Sequence, residues 1–304
     1  MKKLKTVFIL LMLVSMLSAC KGQDIPSENT SASDAAQSAV SSSDESLGED
    51  SPVCVLTPSS PTNEDRYLEA MAMMEEKDFR SALDVFKSLG DYKDCREMVT
   101  RAEIGCISAA QPGQSVVLGS YEQDCIQENG AEPIEWIVLD NDGRQMLLIS
   151  KYCLDGKAFN GGWWLPNKIS WANCDLRSWI NSFFFEKAFA PVEREFVLSY
   201  PTESNVHDKV FVLSADEAEE YEDILLQFST YPTEYAISNG ALKYEDTETP
   251  STWWWLRDTY TETHESQYHA MASMVMKNEI QLPRSATDKP GSVRPAIWLD
   301  IERI

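Results

Sequence analysis

Hydrophobic residues are distributed along the 304-residue chain in four different patterns. Residues 1–19 contain an unbroken apolar run, and residues 20–62 are polar, acidic and almost free of aromatic side chains. Apolar residues recur at helical spacing over residues 63–108. From residue 113 to 304, alternating runs typical of strands are mixed with short helical ones. The pattern therefore predicts four segments with these bounds.

The helical segment predicts a hairpin of two helices and a trailing third helix. Asn63 is expected to cap the first helix, and Gly90 to end the second. Phe79, Ala82 and Phe86 lie where the tetratricopeptide family has its packing residues, so the hairpin resembles one such unit. Because repeat arrays usually need three or more units, this single hairpin must pack on the next domain, on another chain or on a ligand.

Two local signals are strong in the C-terminal segment. An Asp-Gly pair between the apolar runs PIEWIVLD (133–140) and RQMLLISKY (144–152) predicts a β-hairpin. Ser214 and Glu217 have the spacing of a capping box, which predicts a helix directly after the strand KVFVL.

Further elements are predicted with less detail. Late strands are expected at 252–257, 268–276 and 293–299. A helix is expected after Ser170, and its buried face is predicted to carry Leu176, Trp179, Ile180 and Phe183.

The N-terminus has the features of an export signal. Three lysines precede an apolar run at 7–14, which is shorter than the about 20 residues that span a membrane. Leu17-Ser18-Ala19-Cys20 resembles the lipobox of bacterial lipoproteins, in which the cysteine is lipidated and becomes the first mature residue. This resemblance implies a protein anchored to the bacterial cell membrane from outside through lipid on Cys20, since two acyl chains suffice for anchoring. The alternative is an ordinary secretory signal in which Cys20 is incidental.

Composition limits the partners. The chain has 26 Lys and Arg against 49 Asp and Glu, a net charge of −23, which becomes −26 once the three lysines of residues 1–19 are removed. Such a surface repels phosphate backbones, so no nucleic acid partner is expected. Residues 20–62 cannot bury enough apolar surface to fold, and they predict a flexible tether or, alternatively, a glycosylated stalk.

Cysteine usage leaves the disulfide state open. An even number of cysteines in an exported protein permits up to three disulfides, but their spacing is irregular and defines no pairing. The six cysteines other than Cys20 are Cys54, Cys95, Cys106, Cys125, Cys153 and Cys174.

The stretch STWWWLRD (251–258) places three tryptophans in a row. In an extended strand Trp253 and Trp255 point to one face and Trp254 to the other, which predicts a strand packed on both sides. Arg257 is expected to stack on an indole or to pair with a carboxylate through two hydrogen bonds.

Several motifs in order resemble a bacterial domain of unknown function, family 6273, over residues 113–301. The motifs are EPIEWIVLD (132–140), LLISKYCLD, SWANCDLRSWIN, KVFVLSADEAEEY, WWLR (254–257) and VRPAIWL (293–299). The family is similar to the C-type-lectin-like fold shared with formylglycine-generating enzymes. This similarity implies an α+β domain of small twisted antiparallel sheets packed with helices, preceded here by the all-α hairpin.

The resemblance also separates structural from exposed tryptophans. Trp253 is not required by the family pattern and is expected to be partly exposed. The residues expected to serve the fold are Trp136, Trp179, Trp254, Trp255, Arg257, Arg294 and Trp298.

A search for reaction chemistry gives no catalytic residue. Formylglycine-generating relatives use a late cysteine pair, and no cysteine follows Cys174. Iron-dependent relatives need a histidine cluster, whereas His264 and His269 are five residues apart and favour a polar loop over a metal site. The turn at 140–143 is similar to the start of a calcium loop, but the hairpin interpretation is preferred. No cofactor and no metal are expected.

These observations favour a non-enzymatic binding module for a glycan, peptide or protein of the cell envelope. Ligand contacts are expected from Trp163, Trp164 and Trp253 in the loops 155–168 and 240–268. The alternatives are a structural or assembly lipoprotein that docks a partner through the helical hairpin, and an enzyme of unrecognised type.

Overall fold

A computed structural model describes residues 60–161, 169–244, 252–264, 267–276, 279–286 and 289–304. For residues 261–264, 267–271, 273–274, 276 and 279–286 the description covers the backbone alone. All described residues belong to one compact unit, Pro58–Ile304. Among them, no helix combines the length and apolarity required to cross a bilayer.

The N-terminal part of this unit is helical, as the apolar spacing predicts. Its helices are α1 (Asn63–Glu75), α2 (Phe79–Leu89) and α3 (Cys95–Ile107). The cap of α1 differs from the expectation: Thr62 is the N-cap, and it forms a capping box with Asp65. Asn63 is the first helical residue, because the Thr62 hydroxyl accepts the Asp65 backbone N–H.

The helical hairpin packs on the C-terminal part of the same chain. Ile104 of α3 belongs to the large core of that part. Arg101 forms an ion pair with Glu195 at 2.8 Å and lies over the Phe196 ring at 5.3 Å. The hairpin therefore packs on the neighbouring domain, which is one of the three partners considered for it.

The described residues of the C-terminal part form three sheets. Its strands are β1 (Ser115–Tyr121), β2 (Glu132–Asn141), β3 (Gln145–Ser150), β4 (Asp155–Ala158), β5 (Tyr200–Glu203), β6 (Val206–Asp208), β7 (Trp253–His264), β8 (Gln267–Met276), β9 (Glu279–Ala286), β10 (Pro290–Val293) and β11 (Ala296–Asp300). One antiparallel sheet has the order β1-β2-β3-β11, a second has the order β4-β10-β7-β8-β9, and β5 pairs with β6. In the second sheet β10 is parallel to β7, and the other pairs are antiparallel. The predicted hairpin is formed by β2 and β3 around Gly143, whose φ of 84° suits the tight turn.

Short helices connect the sheets. They are α4 (Asp175–Trp179), α5 (Phe185–Ala188), α6 (Pro191–Phe196), α7 (Ala215–Glu220), α8 (Glu222–Leu225) and α9 (Glu234–Ser238). The Ser214–Glu217 capping box begins α7 as predicted.

The expected buried face of the helix after Ser170 is wrong at one position. A π-helical turn, Ile180–Phe184, separates α4 from α5. Each turn of a π-helix takes up more residues than an α-helical turn, which shifts the core-facing position. Phe184 is consequently buried, whereas Phe183 is 53% exposed.

The described cysteines are all free thiols. Cys95, Cys153 and Cys174 are buried, Cys106 is partly buried and Cys125 is exposed. Cys20 and Cys54 lie outside the described residues.

Candidate functional site

Strand register places the end of β4 and the start of β7 at one end of the five-stranded sheet. Ala158, the last residue of β4, is paired with Pro290, the first residue of β10. Because β10 runs parallel to β7 with Ser292 opposite Trp254, the first residue of β7 lies at this same end. The chain that leaves β4 and the chain that enters β7 therefore meet at one end of the sheet, which we call the loop end.

Two glycines allow α9 to pack closely against the loop end. A Cβ on Gly156 would lie 2.6 Å from the Ala241 backbone nitrogen and 2.7 Å from the Asn239 carbonyl oxygen. Gly240 has a φ of +99°, and a Cβ there would lie 2.9 Å from Pro290 Cβ. Neither glycine position has room for a side chain, so glycine at both allows the backbones of β4, β10 and the end of α9 to lie close together.

A buried carboxylate fixes the start of the first segment. Asp155 in β4 accepts hydrogen bonds from the Tyr121 hydroxyl at 2.7 Å and from Asn239 Nδ2 at 2.9 Å. Burial and the neighbouring Asp155 charge raise the pKa of Tyr121, which keeps its hydroxyl protonated as a donor. This network connects β1, β4 and the end of α9.

A second buried carboxylate, that of Asp208, holds the chain around Trp171. Trp171, in a 3₁₀ turn at 171–173, donates from Nε1 to Asp208 Oδ2 at 2.8 Å. The Thr202 hydroxyl donates to the same oxygen at 2.5 Å, and Arg177 Nε donates to Oδ1 at 2.7 Å. Trp171 is fully buried, and it was not among the tryptophans assigned to the fold from sequence.

The expected exposure of Trp253 is wrong. Its side chain is 6% exposed and meets the Trp255 ring edge-on at a centroid distance of 4.7 Å. Both rings lie over Gly291 in β10, which has no side chain to keep them away. Trp253 therefore packs in the core as its neighbour does. Trp163 and Trp164 lie outside the described residues.

The other assigned tryptophans serve packing. Trp136 donates from Nε1 to the Leu118 carbonyl at 2.8 Å, and Trp255 donates from Nε1 to the Lys157 carbonyl at 2.8 Å. Buried Trp298 stacks on Tyr200, whereas Trp179 is only partly buried and lies under the Lys157 ammonium.

Arg257 is paired with a carboxylate through two hydrogen bonds, one of the two arrangements expected. Its Nη2 donates to Glu217 Oε1 at 2.6 Å and its Nη1 to Glu217 Oε2 at 2.5 Å. Nη1 also donates to the Val212 carbonyl at 3.1 Å. Glu217 thus caps α7 and neutralises a buried arginine of β7.

A small cavity lies beside Trp254, on the face of the five-stranded sheet opposite to Trp253 and Trp255. Its volume is about 30 Å³, and it lies between the sheet and the α7–α8 segment. The residues around it are Ala218, Glu222, Leu225, Leu226, Thr230, Trp254, Val275 and Arg294.

Two polar atoms at this cavity have no hydrogen-bond partner among the described residues. They are Arg294 Nη2 and Thr230 Oγ1, both buried as atoms. The Arg294 side chain is held by one bond from Nε to the Ser150 carbonyl at 2.8 Å, and its guanidinium lies 5.2 Å from the Trp254 ring centroid. Burial lowers the pKa of Arg294 to about 10, so the group remains a cation at neutral pH.

Of the residues considered for metals, the structure describes the turn at 140–143 with its side chains and His264 and His269 by their backbone alone. The backbone of His264 and His269 belongs to β7 and β8 rather than to a loop, and their side chains lie outside the description. Asp142 accepts backbone N–H groups of Arg144 and Gln145, which lower its pKa and stabilise the hairpin turn.

Glu122, Asp124 and Glu132 place one carboxylate oxygen each within 4.8 Å of one another. Asp124 accepts the Ile126 backbone N–H at 2.7 Å, which lowers its pKa. Glu132 accepts the Gln123 backbone N–H at 2.7 Å. These two hydrogen bonds lie within the connection between β1 and β2 and stabilise it.

Comparison with protein families identifies the C-terminal region. Residues 143–301, just over half of the chain, match the family described as "Domain of unknown function (DUF6273)". The chain belongs to this family. The match begins in the β2–β3 turn, later than the expected residue 113, although β1 and β2 complete the sheet of β3 and β11. Comparison with curated proteins and with solved structures gave no match.

Proposed function

We propose that this family member is an extracytoplasmic lipoprotein whose C-terminal domain binds a cell-envelope or extracellular ligand without catalysing a reaction. The anchor would be lipid on Cys20, and residues 20–62 would extend as a tether between the membrane and the folded unit. The ligand would be a glycan, peptide or protein.

The observation that supports the binding proposal is that the end of β4 and the start of β7 lie at the same end of the five-stranded sheet. Ala158 and Pro290 are paired there, and β7 begins beside them. The buried networks around Asp155 and Asp208 hold the described chain on either side of residues 162–168. Binding sites are commonly formed by loops on a rigid scaffold, so the segments that follow β4 and precede β7 are candidates for the binding surface.

The finer architecture is also part of the proposal. An α+β unit with antiparallel sheets and short helices is compatible with a C-type-lectin-like fold. Likewise, the contact of the Gly105 backbone with the Phe79 ring is compatible with a tetratricopeptide-like hairpin, where close helix packing needs small residues. A fold likeness of this kind does not by itself assign a ligand.

The anchor is tested by Cys20→Ser in bacterial cells. The proposal predicts that the unsubstituted protein partitions into detergent and incorporates labelled fatty acid, and that the variant does neither. Equal incorporation of label by the variant would exclude Cys20 as the lipidation site.

Ligand binding is tested with Trp163→Ala and Trp164→Ala in sedimentation assays with cell-envelope fractions. Because buried aromatic contacts dominate many interfaces, each variant should weaken binding more than tenfold. Phe183→Ala, which removes an exposed aromatic ring elsewhere, should bind like the unsubstituted protein. Unchanged binding of both tryptophan variants would refute the loop end as the binding surface.

A further inference from the structure

The cavity beside Trp254 is lined by a buried cation that has no carboxylate partner among the described residues. Arg294 is 2% exposed, and among the described residues no carboxylate lies within ion-pair distance of it. The contrast with Arg257 of β7 is informative, because Arg257 has Glu217 as a partner through two hydrogen bonds. A buried arginine without a partner is costly. In a chain with 49 acidic residues, the lack of a carboxylate partner calls for an explanation.

The unsatisfied atoms belong to two residues that line the same cavity. Arg294 Nη2 and Thr230 Oγ1 both lack a partner among the described residues, and both residues line the cavity. Leaving such groups unpaired costs about 1–3 kcal/mol each, and more for a charged group. One N–H donor and one hydroxyl around a common space form a donor pair suited to an oxygen acceptor.

The size and surroundings of the cavity restrict the acceptor. A volume of about 30 Å³ has room for about two water-sized groups, at about 10–15 Å³ for each. A carboxylate, with two oxygens on one carbon, fits this space and matches the planar arginine fork. Leu225 and Leu226 border the cavity, and Leu226 is 49% exposed, so an aliphatic group attached to the carboxylate would meet apolar side chains.

We propose that this cavity binds the carboxylate of a small aliphatic acid or of a peptide C-terminus, with Arg294 and Thr230 as donors and the α8 leucines contacting the aliphatic part. The exposed carboxylate of Glu222 borders the same cavity and would repel the incoming anion. This site is separate from the loop end and does not depend on the function proposed for it.

The test uses the purified full-length protein in detergent, with ionic strength held constant by sodium chloride. Butyrate is compared with neutral butyramide, and N-acetyl-leucine with its amide, by thermal unfolding and by calorimetric titration. At about ten times its Kd, a carboxylate should raise the Tm by about 3 °C, whereas the amides should leave it unchanged. A stronger response to N-acetyl-leucine would indicate a peptide C-terminus, and a stronger response to butyrate would indicate a free acid.

Two conservative variants keep the test independent of folding defects. Thr230→Val preserves shape but removes the hydroxyl, and it should weaken carboxylate binding about tenfold. Glu222→Gln removes the repelling charge at an exposed position and should tighten binding severalfold. Equal responses to acids and amides, or affinities unchanged in both variants, would overturn the proposal and leave the cavity to ordered water. The envelope assays with Trp163→Ala would be unaffected by that outcome.

Discussion

Replacing Gly291 by alanine tests whether the tryptophan run is structural packing. The added Cβ would lie 2.2 Å from Trp253 Cη2, 2.4 Å from Trp253 Cζ3 and 2.6 Å from Trp255 Cε2. Favourable carbon–carbon separations are about 3.5–4.0 Å, so an indole ring would have to move by more than about 1 Å. Since Trp253 and Trp255 are both buried, such a movement must displace neighbouring core atoms.

The expected magnitude follows from two opposing effects. Overpacking a core costs typically about 1–3 kcal/mol, and overlap with two rings indicates the upper end of that range. Alanine is favoured over glycine within a strand by roughly 0.5–1 kcal/mol, which offsets part of the cost. Gly291→Ala should therefore lower the free energy of unfolding by about 2 kcal/mol.

Urea unfolding followed by circular dichroism measures this change. Gly161→Ala is a matched control, because its Cβ would meet Asp175 Oδ2 at an ordinary 3.8 Å, and its effect should stay within about 0.5 kcal/mol. Combining Gly291→Ala with Trp253→Phe should recover part of the loss, because the smaller ring does not reach the added methyl group. If Gly291→Ala is as mild as Gly161→Ala, the described packing of the tryptophans is wrong.

Two further predictions concern buried polar groups. Glu217→Ala removes the partner of buried Arg257 and should cost about 3 kcal/mol in unfolding free energy. Ser214→Ala removes the cap alone and should cost about 1 kcal/mol. Equal losses in the two variants would show that the ion pair contributes nothing. Burial raises the pKa of the Cys153 thiol to about 12, whereas Cys125 is exposed. After iodoacetamide treatment of the native protein at pH 8, mass spectrometry should therefore find Cys125 alkylated and Cys153 intact. Rapid alkylation of Cys153 would contradict its burial.

Local signals in the sequence were reliable where the structure they specify is itself local. The Asp-Gly pair and the Ser214–Glu217 spacing each correspond to the predicted turn and cap. These elements depend on a few adjacent residues, so no knowledge of distant packing is required. The alternation of the tryptophans in β7 was predictable for the same reason, since side chains in a strand alternate between its faces.

Expectations that depended on tertiary contacts were less accurate. Trp253 is buried because Gly291, far along the chain, provides space beside it in β10, and no local pattern shows that neighbour. The exposure of Phe183 results from the π-helical turn, which the apolar spacing does not reveal. The cavity escaped prediction because Thr230 and Arg294 are brought together only by the fold, although an arginine beside Pro295 without a nearby acid was visible in the sequence.

The most direct test of the proposed binding function is site-specific photo-crosslinking in intact cells. A photoreactive amino acid would replace Trp163, in the segment that follows β4, or, separately, the exposed Leu68 of α1. Binding through the loop end predicts a cross-linked envelope component from position 163 and none from position 68. Cross-linking from position 68 alone would contradict this account and would favour docking through the helical hairpin.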